Sequence, residues 1–252
     1  MISFFDKICI FVKIVVMKLF YDREISGDFH VLNEEESRHC TKVLRLGNGD
    51  EIYLTDGKGN MYRTEIIEIH QKKTVLKILE IILDYGKREY SFHIAIAPTK
   101  SNDRLEWFVE KTTEIGIDEI SPIICKNSER KFVKADRLNR ITEAAMKQSY
   151  KAYHPIINEQ ADFAKFIKQD FNCNQKFIAH CEKESEKKYL GRLLEKNSSA
   201  IILIGPEGDF NQQEIELAKS VGFVEISLGE SRLRTETAGV VACDICSVIN
   251  QI

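Results

Sequence analysis

Leu203-Ile204-Gly205-Pro206-Glu207-Gly208-Asp209-Phe210, and further on Leu228-Gly229-Glu230-Ser231-Arg232-Leu233-Arg234-Thr235-Glu236-Thr237-Ala238, are the stretches that decide how this 252-residue chain folds. The first ends an apolar run, Ala200 to Ile204, in a tight Gly-Pro-Glu-Gly turn and then opens a helical pattern. The second follows another apolar run, Phe223 to Leu228, with a loop of Gly, Arg and Glu and then small residues. Two strand–loop–helix units this close predict one crevice at the carboxyl ends of the strands, where open α/β sheets take their ligands. Glycine allows close backbone approach and positive φ in such loops. Neither stretch ends in Gly-Lys-Ser/Thr or reads G-x-G-x-x-G, so a P-loop and a dinucleotide fingerprint are both missing. No lysine stands ready for a triphosphate, which argues against an NTPase.

Outward from these loops, strands and helices alternate from Tyr90 onward, the signature of a parallel α/β layer fold. Phe92 to Ala97, Ile120 to Ile124 and Lys176 to His180 read as strands. Asp103 to Ile115 reads as a helix with Leu105, Phe108, Thr112 and Ile115 inward, stopped by Gly116. Further helices are predicted over Ala135 to Tyr150, Glu186 to Lys196, Gln212 to Val221 and Glu236 to Ile252, with Asn211 and Glu214 placed for a capping box. Before Leu83 the pattern is mostly strand: Glu51 to Thr55, Tyr62 to Ile69 and Thr74 to Leu83, with Gly-rich turns and one helix from Glu34 to Leu46. These strands suggest a small β-barrel. The polar stretch Asp84 to Glu89 is the expected linker, dividing the chain into 17–86 and 87–252.

The formal charge of −3 excludes whole-protein attraction to nucleic acid, so RNA would have to meet local basic patches. Seven scattered cysteines form no secreted disulfide framework and point to a reducing cytoplasm. Cys243-x-x-Cys246 lies in the closing helix with no second pair or histidine, and reads as two small buried hydrophobes, not a metal site. Residues 1–16 are apolar but broken by Asp6, Lys7 and Lys13, too short and interrupted to span a bilayer, and without a signal-peptide cleavage site. Met17 reads as the natural start and 1–16 as a non-native extension. The rival is a weak amphipathic membrane contact.

Four basic groupings are candidates for RNA. Arg38, Lys42 and Arg45 stand at i, i+4 and i+7, a stripe on one helix face beside His39. Lys100 and Arg104 open the helix that carries Lys111 and Glu114. Arg130 and Lys131 belong to the dense run Ser128 to Lys134, followed by Arg137 and Arg140. Gln148 and Lys151 end the next helix, within Ala144 to Pro155. Phosphate contacts are the natural use of such clusters, and solvated surface is the bland alternative.

Taken together, the two glycine loops, Leu233-Arg-Thr-Glu-Thr-Ala238, His39-x-x-x-Val43-Leu-Arg45 and Lys111-x-x-Glu-Ile-Gly116 resemble the SPOUT superfamily of RNA methyltransferases. They most resemble its RsmE-type family, which methylates N3 of a uridine in 16S ribosomal RNA. The likeness runs from Met17 to the C-terminus. It implies a trefoil-knotted α/β methyltransferase domain behind a PUA-like RNA-binding barrel, acting as a cytoplasmic homodimer on the small ribosomal subunit without a metal. It implies S-adenosylmethionine bound by Leu203, Gly205, Pro206, Glu207, Gly208, Leu228, Gly229, Leu233, Thr237 and Ala238, with a third loop after the strand at Ala95 to Pro98. Lys151 stands where the family carries arginine, which keeps the charge and loses the bidentate fork. Arg234 is the candidate for stabilising a developing uracil oxyanion. Glu236 is the candidate proton acceptor, with holding the loop or the donor's amino group as its alternatives. Two other classes stay open: a SPOUT enzyme acting on guanosine N1 of transfer RNA or on a ribose 2′-hydroxyl, and a non-catalytic RNA-binding assembly factor.

Overall fold

A computed structural model describes residues 18–182 and 187–252. The extension expected at 1–16 lies outside the described residues. The chain forms two compact units, divided at Lys87 and Arg88, except that residues 146–154 belong to the first.

The first unit is a five-stranded sheet of β1 (Leu19–Tyr21), β2 (Phe29–Val31), β3 (Glu51–Thr55), β4 (Met61–Glu68) and β5 (Val75–Ile82), in the order β1-β3-β4-β5-β2. Only the β1–β3 pairing is parallel. Alternate residues of the strands, Ile52, Leu54, Ile66 and Leu76 among them, are fully buried and share a core with Phe20, Leu32 and Cys40. The segment 146–154 is tied into this unit by the backbone. Gly59 N–H donates to Ala152 O at 2.9 Å and His154 N–H to Gly57 O at 2.9 Å. Gly59 has φ +104, and a Cβ there would stand 2.4 Å from the Tyr153 ring. The second sequence domain is therefore not one continuous stretch.

The helix expected from Glu34 to Leu46 is shorter and changes form. It is α1 (Glu34–Arg38), capped by Asn33, and it runs into a π-helical turn, His39–Val43. The Thr41 hydroxyl bonds back to the carbonyls of Ser37 and Arg38, which competes with regular α geometry there. Arg45 lies beyond the helix with φ +53, so the expected Arg38/Lys42/Arg45 stripe loses its third member.

In the second unit an eight-stranded, all-parallel sheet holds β6 (Phe92–Ile96), β7 (Glu119–Ile124), β8 (Ile156–Ile157), β9 (Ala161–Asp162), β10 (Gln175–Ala179), β11 (Lys188–Tyr189), β12 (Ala200–Ile204) and β13 (Val224–Ser227). The order is β11-β13-β10-β12-β6-β7-β8, with β9 also on β7. Helices α2 (Asn102–Ile115), α3 (Ala135–Gln148), α4 (Phe163–Phe166), α5 (Leu190–Leu193), α6 (Gln212–Ser220) and α7 (Thr235–Gln251) connect and cover it. Strand residues alternate between two cores. Phe92, Ile94, Ile96, Ile202 and Ile204 meet Phe108 of α2 and Ala242, Cys243 and Cys246 of α7. Ala95, Ile201 and Leu203 meet Phe163, Phe166, Phe210 and Ile215 on the other face. Runs apolar on both sides are what a central parallel strand requires.

The Asn211–Glu214 capping box forms in both directions, at 3.0 and 2.9 Å. Of the helix expected over Glu186 to Lys196, Glu186 lies outside the described residues and only Leu190–Leu193 is helical. Lys188 and Tyr189 instead pair with Ile226 and Ser227 at the sheet edge, leaving one helical turn. Both thiols of Cys243 and Cys246 are pushed up by burial, Cys246 to about 12, so neither is a thiolate at neutral pH. Among the described residues no helix is long and apolar enough to cross a membrane, and no His/Cys/Asp/Glu group could hold a metal.

Candidate active site

Because every strand of the second sheet is parallel, the loops after β6, β7, β10, β12 and β13 leave one edge. Hydrogen bonds stitch them together there. Lys100 N–H donates to Glu207 Oε1 at 3.0 Å, and Asn127 Nδ2 donates to the carbonyls of Gly208 and Asp209 at 3.1 Å each. Cys181 N–H donates to Asp209 Oδ2 at 2.7 Å. The Thr235 hydroxyl, at the start of α7, donates to Gly205 O at 3.0 Å in a buried contact. The sequence likeness placed its third loop after β6. Strand order sets β10 between β12 and β13, so the loop starting at the buried His180 lies between the two glycine loops. Sequence showed β10 as a strand and had no means of placing it in the sheet.

Beside these loops a cleft of about 590 Å³ is lined by Asp103, Arg104 and Trp107 of α2 and by Arg232, Leu233, Arg234, Glu236 and Thr237. Glu236 is buried in its wall. Its Oε1 lies 3.8 Å from Arg104 Nε, and its Oε2 has no hydrogen-bond partner among the described residues. Arg234 stands exposed at the N-cap of α7. Among the described residues neither Arg232 nor Arg234 has a carboxylate in ion-pair range. Arg104, Leu233, Arg234, Glu236 and Thr237, all singled out from sequence, thus meet in one place. Trp107 and Arg232 were missed. The available signal was the i, i+3 spacing of Arg104 and Trp107 and the position of Arg232 inside the second loop.

The other expected cofactor residues divide. Leu203 is fully buried among apolar neighbours and offers no side-chain surface to a ligand. Gly205 and Pro206 are also buried. A Cβ on Gly205 would meet Phe210 at 3.1 Å, and one on Gly208 would meet Asn127 Cβ at 3.1 Å. Gly208 is itself exposed, so a side chain there would crowd Asn127 while the rest of its backbone stays open to solvent. Gly229 is different: its φ is +137 and nothing lies within 4 Å of the Cβ position, so the backbone there borders open space. Leu228 and Ala238 are half-buried against the first core.

The basic groupings also divide. Arg130 turns inward and donates from Nε to Thr99 O at 3.2 Å and from Nη2 to Lys100 O at 2.8 Å, holding the loop after β6. Lys100 Nζ pairs with Glu129 at 2.9 Å, and Arg137 grips Glu106 with two bonds of 2.6 and 2.7 Å. Lys131 is exposed. In the first unit Arg38 and Lys42 line a cleft of about 650 Å³ with Glu34, Glu35, His39 and Val43, and Arg38 pairs with Glu34 at 2.7 Å. Gln148 is exposed at the end of α3 and Lys151 half-buried beyond it, both within the first unit.

Comparison with known proteins agrees with this layout. Residues 87–247 match the RNA methyltransferase domain family, and residues 32–80 match the RNA methyltransferase PUA domain. The chain belongs to the RNA methyltransferase family. A crystal structure from Porphyromonas gingivalis, titled a "probable rRNA-methyltransferase", is 38% identical, with a TM-score of 0.87 over 93% of this chain and 99% of that one. The ribosomal RNA small subunit methyltransferase E of Neisseria gonorrhoeae, solved with S-adenosyl methionine, is 27% identical, with a TM-score of 0.79 over 90% of this chain and 95% of that one. The Bacillus subtilis protein of the same name is 27% identical over 84% of this chain and 87% of its own length. The methyltransferase domain of this family is thus the parallel sheet with its loop edge, and the PUA match falls inside the five-stranded sheet.

Proposed function

We propose that this chain methylates N3 of a uridine in 16S rRNA of the small ribosomal subunit, with S-adenosylmethionine as donor. Its standing as an S-adenosylmethionine-dependent rRNA methyltransferase rests on the family, on the small-subunit methyltransferases it resembles, and on the donor-bound Neisseria structure. The residues present fit a cationic donor. The Glu236 Oε2 is a buried acceptor without a hydrogen-bond partner among the described residues, and the Gly229 backbone borders open space that a ligand can approach. Thr237, Leu233 and the Gly229 backbone would hold the donor, which supplies an electrophilic methyl group carried on a sulfonium.

The observation that carries the reading is a buried carboxylate in one cleft with Arg232 and Arg234, which have no carboxylate in ion-pair range among the described residues. N3 lies on the Watson–Crick edge, so the uridine must be unpaired or extruded to reach it. Attack by N3 requires loss of its proton, and Glu236 Oε2 is the acceptor proposed for it. Charge then gathers on the uracil carbonyl oxygens, where Arg234 is the fixed cation able to stabilise it. Arg104 holds the other oxygen of Glu236. The walls of the cleft align the reacting atoms and limit water. Arg38, Lys42 and Lys131 are the side chains proposed for phosphate contacts, with Gln148 and Lys151 as further candidates for the RNA.

The proposal includes three further features implied by the likeness. A knot threading α7 is supported by the Thr235–Gly205 bond and by the packing of α7 on α2. A homodimer is supported by Val248 and Ile252, left 45% and 82% exposed on and just beyond α7. A cytoplasmic site of action follows from the substrate. The test is incubation of unmodified small subunits with labelled donor, followed by nucleoside mass spectrometry. 3-Methyluridine in 16S rRNA is expected. Label on another nucleoside would give the enzyme a different target, and absence of both label and donor binding would favour a non-catalytic assembly factor.

A further inference from the structure

Trp107 is the only tryptophan in the chain, and it is 43% exposed although its neighbours Phe108 and Val109 are fully buried. An indole turned out of a core that accepts the next two residues is informative, because large aromatic surface is ordinarily buried. It does not face bulk solvent alone. It lines the same cleft as Arg104, one helical turn before it, and Arg232, Arg234 and the partnerless Glu236 Oε2 across from it. This grouping combines one flat aromatic face, several guanidinium groups and one acceptor.

We infer that Trp107 is the platform on which the extruded target base stacks. The inference rests on the reading that a uridine is the acceptor, and it adds the residue that recognises the base. Aromatic side chains and guanidinium planes are the usual supports of splayed-out bases, because every base has a π-face to offer. Stacking uses the faces of the uracil and leaves its edge free, so N3 and the flanking carbonyl oxygens stay accessible to Glu236 and Arg234. The indole thus sets the plane of the ring, and the charged groups act within that plane. Phosphate-binding residues cannot do this, since they touch only the backbone.

A single tryptophan makes the test site-specific. Addition of single-stranded oligouridylate to the full-length protein should quench Trp107 emission saturably, and an abasic oligomer of the same length should not. Trp107→Ala should raise the KM for unmodified small subunits by roughly fivefold to a hundredfold, the range measured for loss of one base–aromatic stack. Its donor affinity should stay within about twofold, and Trp107→Phe should recover most of the KM. The platform is overturned if emission ignores bound oligouridylate, or if Trp107→Ala keeps the wild-type KM. It is equally overturned if Trp107→Ala converts a dimer into monomers in sedimentation while wild-type emission follows protein concentration, which would make the indole a subunit contact. Failure of the wild-type protein to form 3-methyluridine would count against the proposed function, whereas wild-type product with an unaffected Trp107→Ala counts against the platform alone.

Discussion

Replacing Glu236 by glutamine separates what this residue does for the reaction from what it does for the fold. Glu236 is 6% exposed, and its Oε2 is buried without a partner. A buried neutral acceptor left unsatisfied costs about 1–3 kcal/mol and a charged one costs more. The compensation from Arg104 is small, because at 3.8 Å, with the arginine side chain 42% exposed, such a pair is worth about 0–1 kcal/mol. Glutamine keeps the shape, removes the buried charge and leaves one amide hydrogen-bond donor unpartnered at about the neutral cost. The difference is a resting protein of equal or higher stability, by about 1 kcal/mol. For a chain of this size that is a rise of roughly 2–4 °C in Tm. The same change removes the proton acceptor, and kcat should fall by about a hundredfold to ten-thousandfold. Thermal unfolding with and without donor, together with single-turnover methylation of small subunits, reads both effects. Loss of more than about 1 kcal/mol in the donor-free protein would show that the carboxylate is a structural anchor for the start of α7. Wild-type kcat would remove it from proton transfer.

Arg234→Ala should lower kcat by roughly a hundredfold with donor affinity barely changed, as expected for a group that acts on charge formed during transfer; parallel loss of donor binding in calorimetry would make it a cofactor residue. Arg130→Ala should destabilise the protein by about 1 kcal/mol, because it removes two bonds that brace the loop after β6, of which only the one to Thr99 O is partly buried; a denaturation midpoint equal to wild type, with a flatter salt dependence of RNA binding, would return it to the phosphate contacts. Gly239→Ala should destabilise although it sits inside a helix, where alanine is otherwise favoured by about 1 kcal/mol. Its Cβ would stand 2.4 Å from the fully buried Phe108 ring, and overpacking of that kind costs about 1–3 kcal/mol. A compensating Phe108→Leu should restore part of the loss, and a raised midpoint for Gly239→Ala alone would refute the close approach. Burial pushes the His93 imidazole down to about 4 against the pull of Glu119. The folded protein then holds it neutral while the unfolded chain takes up a proton below about 6.5, so stability is complete above that pH and is lost as pH falls toward 4. The loss should reach about 3 kcal/mol, and a His93→Gln variant with the same slope between pH 6.5 and 4 would assign it elsewhere.

Much of this architecture is local chemistry and was legible in the chain itself. The runs Phe92 to Ala97 and Ala200 to Ile204 read as strands, and the alternation of strand and helix after Tyr90 pointed to a parallel sheet. Asn211 with Glu214 announced a helix start, Gly116 a helix end, and the two glycine loops the edge on which ligands would gather. Arg234 and Glu236 were readable as chemical candidates because they follow one of those loops directly. Tertiary structure decided what depends on contacts far apart in sequence. Strand order, not strand identity, put β10 between β12 and β13. Backbone bonds to Gly57 and Gly59 drew residues 146–154 out of the stretch in which they are written. Pairing with β13 made Lys188 and Tyr189, expected in a helix, an edge strand, and left a single turn at Leu190–Leu193. A guanidinium reads the same whether it meets a phosphate or a neighbouring carbonyl, so only the fold showed Arg130 as a brace and Arg104 as the partner of Glu236. The spacing of Trp107 from Arg104 put the two on one helix face, but only the fold showed the indole uncovered, since exposure is a property of what the rest of the chain leaves open.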